Sequence, residues 1–164
     1  MTNTNTDSAL GFRSPQVCKV VGITYRQLDY WDRSGLLGPS LQTASGSGTQ
    51  RLYTFQDVVT LRVIKRLKDA GTSLNKIRSA FDQLEEQVGE DWREQDITLL
   101  SDGTTIYAAT SPEEVIDLLQ RGQGVFGIAV RPVHDEVRGE LHKLFPDREI
   151  GSVAHEKRAG ASGI

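Results

Sequence analysis

Residues 22–37, Gly22-Ile23-Thr24-Tyr25-Arg26-Gln27-Leu28-Asp29-Tyr30-Trp31-Asp32-Arg33-Ser34-Gly35-Leu36-Leu37, decide the fold. They follow a short amphipathic segment and precede a Gly/Ser-rich loop that ends Gln50-Arg51-Leu52-Tyr53. Gly22 supplies a tight turn. Thr24 is placed to cap a new helix, and Gln27 three residues on completes a capping-box pattern. Leu28 and Trp31 of that helix face inward with Tyr30 alongside, a face of Tyr, Arg, Gln and Asp looks out, and Gly35 ends it. A turn, a two-faced helix and a flexible hairpin with a basic tip are the parts needed to lay a helix in a DNA major groove and brace it with a wing.

Working outward, Ser14-Pro15 is a helix start, with Ser as the cap and Pro at the first helical position. That helix runs to about Val21, buries Val17, Val20 and Val21, and stops at Gly22, a helix-turn-helix signature. Leu36-Leu37 is expected to begin a strand, Pro39 to Thr49 to form a mobile tip around Gly46-Ser47-Gly48, and Arg51-Leu52-Tyr53 to return as the second strand. Thr54 to Ala70 carries Val58, Leu61, Val63, Ile64 and Leu67 as an apolar stripe, with Arg62, Lys65, Arg66 and Lys68 on the outer side. Ser73 caps a further helix through Leu74, Ile77, Phe81, Leu84 and Val88.

A charged hinge at Gly89 to Gln95 is the expected domain boundary, and beyond it the hydrophobic period changes. Ile97 to Leu100 and Thr105 to Ala109 flank Ser101-Asp102-Gly103-Thr104 and read as a β-hairpin with an Asp-Gly turn. Ser111-Pro112-Glu113-Glu114 opens a short helix through Leu119, Arg121-Gly122-Gln123-Gly124 breaks it, and Val125 to Val130 is a third strand. The fold class is therefore mainly α with small β. A winged helix-turn-helix occupies residues 12–88, and a small α+β unit of order ββαβα occupies 96–146. Residues 1–11 are read as a disordered leader and 147–164 as a flexible tail.

With 164 residues the chain holds one ordinary domain or two small ones. No apolar run approaches the roughly 18 residues that span a bilayer, and Met1 to Ser8 lacks a signal-peptide core, so no membrane partner is expected. The lone Cys18 excludes an intramolecular disulfide and fits a reducing, cytoplasmic, nucleoid-associated setting. Net charge is −3, unevenly placed: 11 Lys/Arg against 8 Asp/Glu over residues 1–87, and 8 against 14 over 88–164. A mildly basic N-terminal module joined to an acidic C-terminal one follows.

The N-terminal order and residues resemble the MerR family of bacterial transcription regulators. The matching pieces are Val21-Gly22-Ile23, Tyr25 to Leu28, Tyr30 to Arg33, Gly35-Leu36-Leu37, Arg51-Leu52-Tyr53, and Ala70 to Leu74 with Ile77. They span roughly Ser14 to Leu84. An actinobacterial branch that includes mycobacterial regulators of growth and cell division is similar further along, through Asp102 to Thr105 and Gly122 to Val130. The resemblance implies a DNA-binding set of Thr24, Tyr25, Arg26, Gln27, Tyr30, Arg33, Arg51 and Tyr53. Tyr25 and Arg26 would meet base edges or phosphates, Tyr30 backbone phosphate or half-buried packing, and Arg51 a phosphate beside the minor groove. Gln27 reads a base or serves only the cap, and Trp31 belongs to the core. Arginine suits such roles because its fork of donors binds guanine or phosphate bidentately. Two departures stand out: family members often carry Arg where this chain has Asp29, and the wing is longer than usual. Asp29 pairs with Arg26 or Arg33, or accepts from a cytosine amino group.

Family members dimerise, commonly through a long helix that this chain lacks. Val133, Val137, Leu141 and Leu144 share one helix face and are the expected dimerisation residues. No cofactor is expected, and thiolate metal sensing is excluded by the absence of Cys from the C-terminal half. His134, His142 and His155 are read as surface residues, Arg121 to Gly124 as a turn, and Asp102, Glu113 and Glu114 as turn and helix-start residues. There is no Walker motif, no Ser/His/Asp set and no dinucleotide-binding glycine fingerprint, so the chain is read as non-enzymatic. The leading expectation is a homodimeric regulator of inverted-repeat promoter DNA, with RNA polymerase as a further partner that the resemblance implies. The alternative is a protein-interaction adaptor, for example one that binds a sigma factor through the acidic half.

Overall fold

The computed structural model describes residues 11–42, 50–120 and 126–151. The wing tip at Gly46-Ser47-Gly48, the Arg121–Gly124 break, residues 1–10 of the expected leader, His155 and the tail from 152 lie outside the described residues.

Helix α1 (Ser14–Val21) buries Val17, Val20 and Val21. Its cap position falls to Arg13, whose side chain makes no capping bond, and Ser14 is already helical. Gly22 turns the chain with φ of 81°, a left-handed conformation that glycine adopts without the usual steric cost. Helix α2 (Tyr25–Arg33) then starts on a complete capping box. The Gln27 amide donates to Thr24 Oγ1 at 3.1 Å and the Thr24 amide to Gln27 Oε1 at 3.0 Å. Leu28 and Trp31 are its buried residues. The amides of Leu36 and Leu37 both donate to Trp31 O, so this pair wraps the end of α2 and does not open a strand.

The wing is rooted differently from the sequence expectation. Strand β1 (Phe12–Arg13) pairs antiparallel with β2 (Leu52–Tyr53), with Phe12 opposite Tyr53. A single bridge joins Gln42 to Leu52 on the other side. The start of the domain thus supplies the partner strand, a pairing across some forty residues that no local pattern announces. Helix α3 (Phe55–Asp69) begins on a second capping box, Thr54 with Asp57. Asp57 is buried and also accepts from Ser40 N at 2.8 Å and Ser40 Oγ at 2.6 Å, which ties the outgoing wing arm to α3.

Helix α4 (Leu74–Val88) buries Ile77, Phe81 and Leu84. The expected hinge holds a single 3-10 turn at Trp92–Glu94, and Trp92 is fully buried with its ring 5.2 Å from that of Phe81. Strands β3 (Thr98–Ser101), β4 (Ile106–Ala109) and β5 (Phe126–Ala129) form an antiparallel sheet of order β4-β3-β5. In the β3–β4 turn the Asp102 carboxylate accepts from the amides of Thr104 and Thr105 at 2.8 and 2.6 Å. Helix α5 (Pro112–Gln120) links β4 to β5, and α6 (Val130–Leu144) closes the chain.

Helix α6 lies across α3 and reaches α1, so the C-terminal half packs into the same core as the N-terminal half. One apolar cluster runs from Phe12 through Trp31, Tyr53, Leu67, Trp92 and Ile128 to Leu141 and Ile150. The sequence boundary at 89–95 therefore does not divide the packing. Phe12 and Phe145 meet at 5.5 Å, and Arg148 lies over both rings while donating to Gly11 O at 2.9 Å. Residues 147–151, read as the start of a flexible tail, are thus held against the wing root.

Candidate nucleic-acid interface

The outward face of α2 is the candidate surface. With Leu28 and Trp31 locked in the core, Tyr25 and Tyr30 stand 60% and 58% exposed, unusual for aromatic side chains of a folded domain. Arg26 is exposed between them and makes no ion pair among the described residues. Thr24 and Gln27, both in the expected DNA-binding set, are exposed but engaged in the capping box. The structure therefore brings Thr24, Tyr25, Arg26, Gln27, Tyr30 and Arg33 onto one short helix, its cap included.

Arg51 is placed otherwise. Its Nη2 lies 2.6 Å from Asp29 Oδ1, its Nε lies 2.8 Å from Asp32 Oδ2, and its Nη1 donates to Tyr25 Oη at 3.3 Å. Only 10% of the side chain is exposed. The guanidinium expected to grip phosphate is thus clamped to α2 by two carboxylates. Asp29 pairs with Arg33 as well, at 3.0 Å, so of the sequence alternatives the Arg33 pairing is present, and Arg51 is a partner that sequence reasoning missed. The Arg51 hydrogen bond holds the Asp29 carboxyl below the usual carboxylate range, against the opposing effect of burial and with help from Arg33. Burial works against the Arg51 charge, but the Asp29 and Asp32 carboxylates outweigh it and raise the guanidinium further.

Three further expectations change. Tyr53, proposed as a DNA contact, is fully buried, its hydroxyl has no hydrogen-bond partner, and burial drives its phenol well above the ordinary value. Val133, Val137 and Leu141, expected at a dimer face, are fully buried in this chain's own core and Leu144 packs partly buried against it. They fill the space over α3 and leave no free apolar face there. His134, read as a surface residue, is largely covered and sets its ring edge-on to Phe55 at 4.9 Å.

The basic outer side of α3 is also spoken for. Arg66 meets Glu136 at 2.6 Å, and Arg62 meets Glu140 at 3.3 Å while also donating to Val20 O at the end of α1. Arg62/Arg66 and Glu136/Glu140 are each four apart, and that matched spacing on two helices was the available signal. Among the described residues no group of His, Cys, Asp and Glu could hold a metal ion, and no helix is long and apolar enough to cross a membrane.

The family model for MerR HTH family regulatory proteins matches residues 12–84, from β1 to the last buried turn of α4. The chain carries a MerR-family helix-turn-helix domain. In this MerR domain α1 and α2 are the two helices of the helix-turn-helix, and β1–β2 root the wing. Uncharacterized HTH-type transcriptional regulators of Mycobacterium tuberculosis and Mycobacterium bovis are 51% identical over 145 residues, which is 88% of this chain and 64% of theirs. The chain thus spans somewhat under two thirds of the length of these relatives, and their similarity extends well past the MerR domain. The HTH-type transcriptional regulator HmrR of Sinorhizobium medicae is 36% identical over 63 residues, covering 38% of this chain and 41% of its own.

Proposed function

We propose that this chain is a sequence-specific DNA-binding transcriptional regulator that acts as a homodimer on inverted-repeat promoter sites. The observation that carries the reading is the outward face of α2, where Tyr25, Arg26 and Tyr30 are exposed on a helix whose opposite face is locked into the core. Arg26 supplies bidentate donors for a guanine edge or a phosphate, and the tyrosines supply hydroxyls for the backbone on either side. Two such helices on a two-fold axis would read two half-sites, with the dimer fixing their spacing. In this reading RNA polymerase is the downstream partner, and the chain itself performs no catalysis.

The adaptor alternative draws less support, because part of the acidic surplus of the C-terminal half, Glu136 and Glu140, is spent on Arg62 and Arg66. Footprinting on the promoter regions of its own and neighbouring genes, with light scattering of the complex, tests the proposal. The expected result is a protected inverted repeat holding two chains. A footprint on a single half-site by one chain would overturn the dimer, and capture of a protein partner with no footprint would favour the adaptor.

A further inference from the structure

Helix α2 sets two carboxylates, Asp29 and Asp32, against the single guanidinium of Arg51. Asp32 lies 2.8 Å from Nε as an ion pair that makes no hydrogen bond, and Tyr25 Oη accepts from Nη1 at 3.3 Å. Asp29 then adds a second carboxylate, at 2.6 Å from Nη2, and reaches Arg33 Nε at 3.0 Å with its other oxygen. One carboxylate bridging two arginines on a surface meant for DNA stands where a phosphate oxygen pair would stand: same charge sign, same two-oxygen geometry, same donors.

We propose that Asp29 is a specificity-determining residue that masks Arg51 and Arg33 from DNA phosphates and so suppresses sequence-independent binding. This rests on the reading of the chain as a DNA binder. Non-specific affinity is set by the number of phosphates neutralised, and each contact contributes about 0.9 to the salt slope. With Asp29 occupying two of the arginines beside the groove, a random duplex finds Arg26 as the uncompensated cation of α2. Contacts of Arg26, Tyr25 and Tyr30 with the correct bases are untouched, so the ratio of specific to non-specific binding rises.

The test is binding of the full chain to a random-sequence 24-base-pair duplex across a salt series, comparing wild type, Asp29→Asn, the Arg33→Ala/Arg51→Ala double variant and the triple variant. Masking predicts that Asp29→Asn binds the random duplex several-fold more tightly, with a salt slope steeper by about 0.9 to 1.8, one or two phosphates' worth. It also predicts that most of that gain vanishes when Arg33 and Arg51 are absent. A gain of equal size in the double-variant background would mean Asp29 acts only as a repulsive charge, and unchanged or weaker binding would mean it only positions the wing. Either result overturns masking. Failure of the DNA-binding reading looks different: neither wild type nor Asp29→Asn would bind any duplex with a salt-dependent affinity, while circular dichroism shows both folded.

Discussion

Asp29 and Asp32 sit one turn apart on α2 and close on the same guanidinium, and the chemistry of the surface follows from that choice. The Arg51 bond depresses the Asp29 pKa in the folded state, so this carboxylate stabilises the fold above its unfolded value of about 3.9 and ceases to as pH falls through the lower folded value. Asp29→Asn should therefore flatten the acid limb of stability below about pH 4, read as denaturation midpoints from pH 6 downward; an acid limb as steep as that of wild type would contradict the pairing. Tyr53 offers a test of opposite sign. Its hydroxyl is buried without a partner, so Tyr53→Phe should stabilise the chain by about 1 kcal/mol in urea titration, since a lost unsatisfied group costs nothing to remove. A loss of stability would show a hydrogen bond that the structure lacks. At this scale the outward place of Arg26 was legible because helical period puts it opposite Leu28 and Trp31, whereas Tyr30, read alongside that inward pair, stands exposed instead. Arg51 and Tyr53 were not legible, since their surroundings come from residues some twenty to forty positions away.

Elements whose ends are fixed locally could be read from the sequence. Thr24 with Gln27 and Ser73 each cap the helix expected of them, and Asp102-Gly103 turns the expected hairpin, while the Thr54–Asp57 box went unread and the cap expected of Ser14 falls to Arg13. Elements fixed by distant partners were misread: β1 against β2, and above all α6. The period of Val133, Val137 and Leu141 correctly marks an apolar face, but period cannot say whether a face meets its own chain or a second copy. Here it meets α3. Leu141→Ala should accordingly cost about 2–5 kcal/mol of unfolding free energy, the range for emptying a packed leucine site. A variant with wild-type stability but weakened self-association would restore the face to a dimer interface.

For the whole molecule, the shared core means that the MerR domain and the C-terminal unit should unfold together. Trp92 sits between them, packed on Phe81 and under Arg93, where the sequence placed a hinge. Tryptophan fluorescence and far-UV circular dichroism should give one coincident urea transition, whereas two separated transitions would reinstate the hinge. The ion pairs of α3 with α6 reinforce this union and also engage Arg62 and Arg66 of the basic N-terminal half. On the proposed reading, recognition concentrates on the outward face of α2, where Arg26 makes no ion pair among the described residues. Anisotropy of labelled promoter DNA from its own gene, titrated with wild-type chain and with Arg26→Ala over a salt series, tests this most directly. The account predicts preferential, salt-dependent binding by wild type and loss of the preference for promoter over random duplex in Arg26→Ala. Equal preference in both proteins would contradict the assignment of α2 as the reader.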